Sequence, residues 1–132
     1  MATKPLILLV DDFEDALEMY AEYLTFRGYR VRMARSGALA IEAAKVETPA
    51  LIFMDLRMPS MTGTEALHLL RTDTAFAHVP VIALTAHALA DEHRAAMRDG
   101  FDEVIAKPCL PDELAAAIER LLVDGRPTHT AP

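Results

Sequence analysis

Two adjacent aspartates, Asp11 and Asp12, end the apolar run LILLV, and a third aspartate, Asp55, ends the run LIFMD. At about 4 Å and an effective dielectric constant of about 20, two carboxylates repel each other by roughly 4 kcal/mol, so a protein that keeps them together usually supplies a cation. An acidic cluster with room for water suits Mg²⁺, a hard dication that prefers oxygen ligands. The three aspartates are therefore candidate ligands of a magnesium ion.

Two further polar residues follow apolar runs, Thr85 in VIALTAHA and Lys107 in VIAKPCLPDEL. A carboxylate on Asp55 can attack phosphorus while a metal ion and Lys107 neutralise the phosphoryl oxygens. The hydroxyl of Thr85 and a backbone N–H group would bind the remaining oxygen. Pro108 would fix the turn that aims the lysine, and the cis form of its peptide bond costs only about 0.5–1 kcal/mol. Together these residues predict an aspartyl phosphate on Asp55.

Each residue alone also has a simpler interpretation. Asp55 could be a strand-end cap, Lys107 a solvated strand terminus and Thr85 a cap at the entry of a helix. Asp12 is the predicted N-cap of the first helix, because aspartate favours helix starts. Capping explains one aspartate of the adjacent pair and leaves the other unexplained.

The spacing of apolar residues predicts five strands alternating with five helices. The predicted strands are 6–10, 29–33, 50–54, 79–84 and 103–106, and the predicted helices are 14–27, 37–46, 63–71, 88–99 and 111–122. Ser36 and Thr62 precede helices as caps, while Gly28 and Gly100 end helices. This alternation predicts a doubly wound α/β fold, with helices on both faces of a parallel sheet. Ligand sites of such sheets lie beyond the carboxyl ends of the strands, where the candidate residues converge.

Length and composition are typical of one compact domain. The chain has 132 residues, is 52% hydrophobic and carries a net charge of −7, which disfavours direct binding to nucleic acid. No apolar run approaches the roughly 18 residues of a membrane helix, and no secretory signal is present, so we expect a soluble, cytoplasmic protein. The predicted domain covers residues 1–123, followed by a flexible tail, 124–132.

The histidines and the single cysteine do not predict a transition-metal or disulfide site. No HxxxH or CxxC spacing connects the histidines, which are His68, His78, His87, His93 and His129. Cys109 has no second cysteine with which to pair. We interpret Cys109 as a small buried residue, and a redox switch is the alternative.

Four motifs, LLVDD, LIFMDLRMPSMTG, VIALTA and VIAKP, occur in this order along the chain. In this order they closely resemble the receiver domain of two-component response regulators, over about residues 5–123. The resemblance implies a flavodoxin-like sheet with the strand order 2-1-3-4-5. It also implies that Asp55 is the phosphoacceptor, that Asp12 binds Mg²⁺ (or Mn²⁺) directly and that Asp11 binds it through water. The backbone carbonyl of Arg57 would complete the protein ligands.

The same resemblance implies roles for the other motifs and for partners. Thr85 would be the switch hydroxyl, the backbone N–H of Ala86 would bind the phosphoryl group, Lys107 would pair with it, and the peptide bond before Pro108 would be cis. The donor would be a phosphohistidine on a histidine kinase or phosphotransfer protein that docks beside the first helix. The signal would pass to a downstream protein, with the receiver a monomer or a phosphorylation-dependent homodimer.

Two features concern how such a receiver would respond to phosphorylation and how long the phosphate would last. Receivers often carry an aromatic residue three positions before the lysine, but this chain has Val104 there. An aromatic readout at that position is therefore excluded, and coupling would use Thr85 with loop movement. Arg57 lies two residues after the phosphoacceptor, and His87 lies two residues after Thr85. Both are hypothesised to modulate the lifetime of the phosphate. The alternative is that both are solvent-facing loop residues.

Three alternative functions remain to be compared with the receiver hypothesis. Haloacid-dehalogenase-like phosphatases also form an aspartyl phosphate, but their nucleophile ends the first strand in a DxDx pattern, whereas Asp55 ends the third and is followed two residues later by Arg57. A receiver-like module that acts without phosphate would be favoured if Asp12, Asp55 or Lys107 were missing. A receiver domain from a hybrid histidine kinase shares the chemistry and is not separated from a stand-alone receiver by sequence.

Overall fold

The computed structural model describes residues 4–86, 89–123 and 126–127. The strands of its main sheet are β1 (Leu6–Val10), β2 (Arg30–Ala34), β3 (Leu51–Asp55), β4 (Val81–Thr85) and β5 (Glu103–Ala106). The helices are α1 (Glu14–Phe26), α2 (Gly37–Val46), α3 (Gly63–Arg71), α4 (Ala90–Asp99) and α5 (Pro111–Leu121), with a short 3₁₀ helix at Thr74–Phe76. All strands of the main sheet are parallel and lie in the order β2-β1-β3-β4-β5. The predicted doubly wound fold and its strand order are confirmed.

Alternate side chains of the central strands enter two separate cores. Leu8 and Val10 of β1 belong to a core with side chains of α2, α3 and α4. Ile7 and Leu9 of the same strand belong to a core with side chains of α1 and α5. Because both faces of the strand are covered by helices, its sequence is continuously apolar instead of alternating. The helices on the two faces of the sheet therefore hold the strand ends, and the polar residues on them, in fixed relative positions.

Several elements begin or end one or two residues away from the predicted bounds. The strand predicted at 79–84 begins only at Val81, because Pro80 has no N–H group to donate to the ladder. The strand predicted at 50–54 continues through Asp55, which pairs in register with Leu84 of β4. Asp55 is thus the last residue of the ladder and not the first residue of the following loop.

The helix ends confirm four of the five predicted caps and stops. Ser36 accepts a hydrogen bond from the Leu39 amide (3.1 Å), and Thr62 forms a reciprocal capping box with Glu65. The glycines predicted to end α1 and α4, Gly28 and Gly100, have positive φ angles of 99° and 113°, a conformation that favours glycine.

The prediction that Asp12 is the N-cap of α1 is wrong. The N-cap residue is Phe13, whose carbonyl accepts the first helical hydrogen bond from the Leu17 amide at 3.2 Å. The side chain that receives an amide at this turn belongs to Asp11, whose Oδ1 lies 2.9 Å from the Phe13 nitrogen. The physical reason is that Asp11 is buried with its carboxylate at hydrogen-bond distance from this amide, whereas Asp12 is exposed.

The end of α5 departs from the predicted helix. Leu122, predicted as the last residue of α5, begins a short strand, β6 (Leu122–Val123), that pairs antiparallel with β7 (Arg126–Pro127). The rest of the predicted tail, residues 124, 125 and 128–132, lies outside the described residues. None of the helices in the described part of the chain is long and apolar enough to cross a membrane.

A glycine controls how closely the loop after β3 approaches the strand. A Cβ atom at Gly63 would lie 2.3 Å from the carbonyl oxygen of Asp55, whereas one at Gly37 would first meet the sulfur of Met61, at 2.7 Å. We expect Gly63→Ala to lower the free energy of unfolding by about 2–4 kcal/mol, because backbone atoms must shift. Gly37→Ala, also at the first position of a helix, should cost less than about 1 kcal/mol, because the methionine can move and alanine favours a helix.

Urea denaturation of the two variants checks this prediction. Equal losses of stability would show that the close approach of Gly63 to β3 does not constrain the loop.

Candidate functional site

The carboxyl ends of four strands bring the predicted site residues to one edge of the sheet. Asp11 follows β1, and its backbone N–H donates to the carbonyl of Ala34 at the end of β2 (3.1 Å). Asp55 and Thr85 are the last residues of β3 and β4. Lys107 follows β5, and its backbone N–H donates to the carbonyl of Thr85 (2.8 Å). The predicted convergence at the sheet edge is therefore found.

The three aspartates form one cluster of oxygen atoms. One carboxylate oxygen from each of Asp11, Asp12 and Asp55 lies within 4.8 Å of the others. Asp11 is 1% exposed and Asp55 is 6% exposed, whereas Asp12 lies at the surface. Among the residues that the structure describes, the Asp12 carboxylate has no hydrogen bond or ion pair. Two buried carboxylates and one open carboxylate can bind a hard dication from the solvent side.

Lys107 contacts both buried carboxylates. Its ammonium lies 2.8 Å from Asp11 Oδ2 and 3.5 Å from Asp55 Oδ2. The sequence predicted a role for this lysine at the phosphoryl group on Asp55, but its shorter contact is with Asp11. Burial lowers the pKa of Lys107, but the hydrogen bond to Asp11 and the charge of Asp55 outweigh it, so the net pKa is raised. The lysine therefore remains charged and is the counterion that the two buried carboxylates share.

Asp55 is the residue whose ionisation is most strongly perturbed at this edge. Burial and then the charge of Asp11 raise the pKa of Asp55 to about 6, from an ordinary value of 3.8. Lys107 and the backbone N–H of Arg57, which donates to Asp55 Oδ1 at 3.2 Å, act in the opposite direction. The site thus holds more negative charge than one lysine compensates, which favours an added cation.

The remaining described positions of the predicted site lie on β5 or just after β3, β4 and β5. The peptide bond between Lys107 and Pro108 is cis, the form that the resemblance implies. Arg57 and Ala86 are exposed, and Val104 is half-buried in β5, paired with Ala83. His87, predicted to modulate the phosphate lifetime, lies outside the described residues.

Thr85 is not the cap of a helix, because α4 begins at Ala90 and has Leu89 as its N-cap residue. It is 3% exposed and lines a cleft of about 790 Å³ between the loop after β3 and helix α4. Met58 and Ala96 line the same cleft. Thr85 therefore connects the sheet edge to the space beside α4.

Sequence analysis missed two contacts that support the site. The first is the hydrogen bond from the Phe13 amide to Asp11, which orients the buried carboxylate. The second joins Tyr20 to Cys109, whose carbonyl oxygen and sulfur each lie 3.4 Å from the tyrosine hydroxyl. Tyr20 packs among the apolar residues of α1, and no local pattern of the sequence identifies a partner 89 residues away. Burial raises the pKa of the Cys109 thiol, which favours the interpretation of a buried residue over a redox switch.

Fold and site together define a doubly wound α/β protein with a lysine-bearing acidic cluster at the sheet edge. The chain belongs to the response regulator receiver domain family, whose model matches residues 7–119. Membership in this family contradicts the phosphatase alternative.

Curated relatives include regulators of two kinds. The luminescence regulatory protein LuxO of Vibrio campbellii is 34% identical over 114 residues, which are 86% of this chain and 25% of LuxO. The chain thus spans about a quarter of the length of these LuxO relatives. The polar-differentiation response regulator DivK of Brucella ovis is 30% identical over 119 residues, which are 90% of this chain and 97% of DivK.

Solved structures of receivers share the fold. The chemotaxis response regulator CheY4 of Vibrio cholerae matches with a TM-score of 0.86 and 28% identity, covering 91% of this chain and 100% of CheY4. The receiver domain of a signal transduction histidine kinase from Syntrophus aciditrophicus matches with a TM-score of 0.79 and 29% identity, covering 88% of each chain. Stand-alone regulators and kinase receivers are thus both similar to this chain.

The perturbed carboxylate predicts a pH-dependent stability difference in the absence of divalent cations. Because the folded-state pKa of Asp55 is raised to about 6, its ionised form destabilises the fold above pH 6, and this cost disappears as the pH falls through 6 towards 4. We expect Asp55→Asn to stabilise the protein at pH 7.5 by about 1–3 kcal/mol and to lose this advantage at about pH 4.5.

Urea denaturation in EDTA at several pH values measures the difference. Asp99→Asn, at an exposed position outside the cluster, is the matched control. A stability difference for Asp55→Asn that is independent of pH would contradict the prediction.

Proposed function

We propose that this receiver accepts a phosphoryl group on Asp55 from a phosphohistidine of a histidine kinase or phosphotransfer protein. A carboxylate oxygen of Asp55 forms a bond to phosphorus, the bond from phosphorus to the imidazole nitrogen breaks, and its electron pair stays on the imidazole. The observation that carries the proposal is the buried Asp55, which lies beside two further aspartates and 3.5 Å from the Lys107 ammonium.

The surrounding groups have distinct proposed roles. Lys107 neutralises the phosphoryl oxygens, since its ammonium already lies within reach of Asp55. The Thr85 hydroxyl and the backbone N–H of Ala86 bind a further oxygen, which agrees with the position of Thr85 at the end of the neighbouring strand. The protein thereby catalyses only its own phosphorylation and slow dephosphorylation, as a signalling domain and not as a classical enzyme.

The acidic cluster fits a dication on the chemistry of its donors. Asp11, Asp12, Asp55 and the backbone carbonyl of Arg57 would hold Mg²⁺, with Mn²⁺ as a substitute. Bound there, the ion would neutralise charge on the phosphoryl oxygens. The excess negative charge around Asp55 and the open carboxylate of Asp12 support this assignment.

Phosphorylation is proposed to shift a two-state equilibrium and so to change the affinity for a downstream protein. Such a shift can only be as large as the difference in binding to the two states. With Val104 in place of an aromatic residue, we propose that Thr85 and the loop before α4 carry the change. Arg57, which is exposed beside Asp55, would modulate the lifetime of the phosphate. The proposed setting is the cytoplasm, with the receiver monomeric or dimerising when phosphorylated.

A second candidate is the receiver domain of a hybrid histidine kinase. The similarity to the receiver of the Syntrophus aciditrophicus histidine kinase favours it. Its chemistry at Asp55 is the same, but its phosphoryl donor would belong to the same chain or complex.

Phosphorylation by a small donor tests the proposed chemistry directly. We expect wild type incubated with acetyl phosphate and Mg²⁺ to gain the mass of one phosphoryl group, and Asp55→Asn to gain none, because the amide is not a comparable nucleophile. Mass spectrometry of the intact protein measures the increment, and omission of Mg²⁺ tests the metal requirement.

Asp99→Asn is the matched control and should be phosphorylated like wild type. No increment in wild type with acetyl phosphate or with a phosphohistidine donor would favour a module that acts without phosphate.

Binding of Mg²⁺ alone gives an independent test of the cluster. Mg²⁺ should raise the thermal stability of wild type, by about 2.7 kcal/mol at 100 times its Kd. Asp12→Ala should remove most of this gain, because Asp12 supplies the open carboxylate of the cluster. Asp15→Ala, also exposed and near the start of α1, should retain it. Differential scanning calorimetry measures the shifts, and an equal gain in both variants would contradict the site.

A further inference from the structure

The turn that carries Lys107, residues 107–110, is held by contacts to three different elements. The backbone N–H of Lys107 donates to the Thr85 carbonyl of β4 (2.8 Å), and the backbone N–H of Leu110 donates to Glu113 of α5 (2.8 Å). Cys109 lies between these two residues in the sequence, and its carbonyl oxygen accepts a hydrogen bond from the hydroxyl of Tyr20 on α1 (3.4 Å). Within the described residues, Tyr20 supplies the hydrogen bonds that connect the turn to α1.

Tyr20 reaches the turn from the interior of the protein. The residue is 4% exposed and packs in the core that α1 and α5 share. The Cys109 sulfur lies 3.4 Å from the same hydroxyl, so the thiol can donate to the tyrosine oxygen while the tyrosine donates to the carbonyl. Burial raises the pKa of the Tyr20 hydroxyl, which therefore keeps its proton as a donor.

Helix α1 is also next to the acidic pair of the site, Asp11 and Asp12. It begins at Glu14, directly after the turn that holds Asp11 and Asp12. The Tyr20 hydroxyl thus connects α1, the helix that follows the acidic pair, to the turn that carries Lys107. The ammonium on that turn contacts both buried carboxylates, Asp11 at 2.8 Å and Asp55 at 3.5 Å.

We infer that Tyr20 is a positioning residue for Lys107, and that its hydroxyl, acting through the Cys109 backbone, holds the ammonium where it serves both Asp11 and Asp55. The inference rests on the proposed phosphoryl transfer to Asp55, in which Lys107 neutralises the transferred group. Without the hydroxyl, the turn would lose its hydrogen bond to α1, and the Cys109 carbonyl would lose its partner there. A misplacement of about 1 Å in a charge-stabilising group costs up to about 100-fold in rate.

Removal of one hydroxyl tests the inference with little change in packing. Tyr20→Phe should lower the rate of phosphorylation by acetyl phosphate about tenfold without weakening the binding of Mg²⁺, because the lysine is not a metal ligand and a displaced ammonium competes less for Asp11 and Asp55. Tyr23→Phe removes a hydroxyl from the same helix, where it pairs with Arg27 at the exposed surface, and should retain the wild-type rate.

A double-mutant cycle shows whether the effect passes through the lysine. In the Lys107→Ala background, Tyr20→Phe should cause no further loss of rate, since the group that it positions is gone. All rates are measured below the melting transition of each variant. If Tyr20→Phe does not fold, Tyr20→Met replaces it in the same cycle as the variant without a hydroxyl.

Four contrary outcomes are distinguishable. An unphosphorylated wild type would overturn the proposed function itself. A phosphorylated wild type with an unchanged rate in Tyr20→Phe, or an equal loss in the presence and absence of Lys107, would overturn the inference alone. A large loss of Mg²⁺ affinity in Tyr20→Phe would also overturn it, because the hydroxyl would then act on the acidic cluster and not on the lysine.

Discussion

The site depends on one ammonium group that two buried carboxylates, Asp11 and Asp55, share although they repel each other. Each is less than a tenth exposed, and Lys107 lies within 3.5 Å of both. Burial weakens solvent screening, so their charges interact more strongly than they would at the surface. Burial, and then the charge of Asp11, raises the pKa of Asp55, so its ionised form is unfavourable at this position. The fold must therefore provide enough favourable packing elsewhere to keep the carboxylates together.

That packing comes from strands covered by helices on both faces. The parallel register aligns Asp55 with Leu84 and Thr85 with Ala106, so the polar strand ends share one edge. Apolar burial contributes about 25 cal/mol per Å², and the two cores supply it on both faces of the sheet. The close approach of Gly63 to the carbonyl of Asp55 then fixes the loop that follows. Site and scaffold are thus physically coupled through the backbone of β3.

Sequence predicted the parts of this arrangement that depend on local patterns. Continuous apolar runs identify strands buried on both faces, and the topology rule for parallel sheets then places Asp55 and Lys107 at one edge. Asp12 was wrongly predicted as a cap because either of two adjacent aspartates satisfies that pattern, and burial in the folded chain decides between them. The contact between Tyr20 and Cys109 could not be predicted, since it joins residues far apart in sequence and depends on how two helices pack. Local chemistry is therefore easier to predict than the contacts that orient it.

The position of Lys107 has a further physical consequence. Because one ammonium contacts two carboxylates, any cation or phosphoryl group that changes the charge on Asp11 or Asp55 also changes the forces on the lysine. The lysine belongs to a turn held by β4, α1 and α5, so those forces act on elements outside the acidic cluster. Linkage requires the reverse as well: a partner that binds those elements and favours one position of the turn must change the affinity of the cluster for its ligands by the same factor. For such a partner, the shared counterion would connect charge at Asp55 with binding at the protein surface.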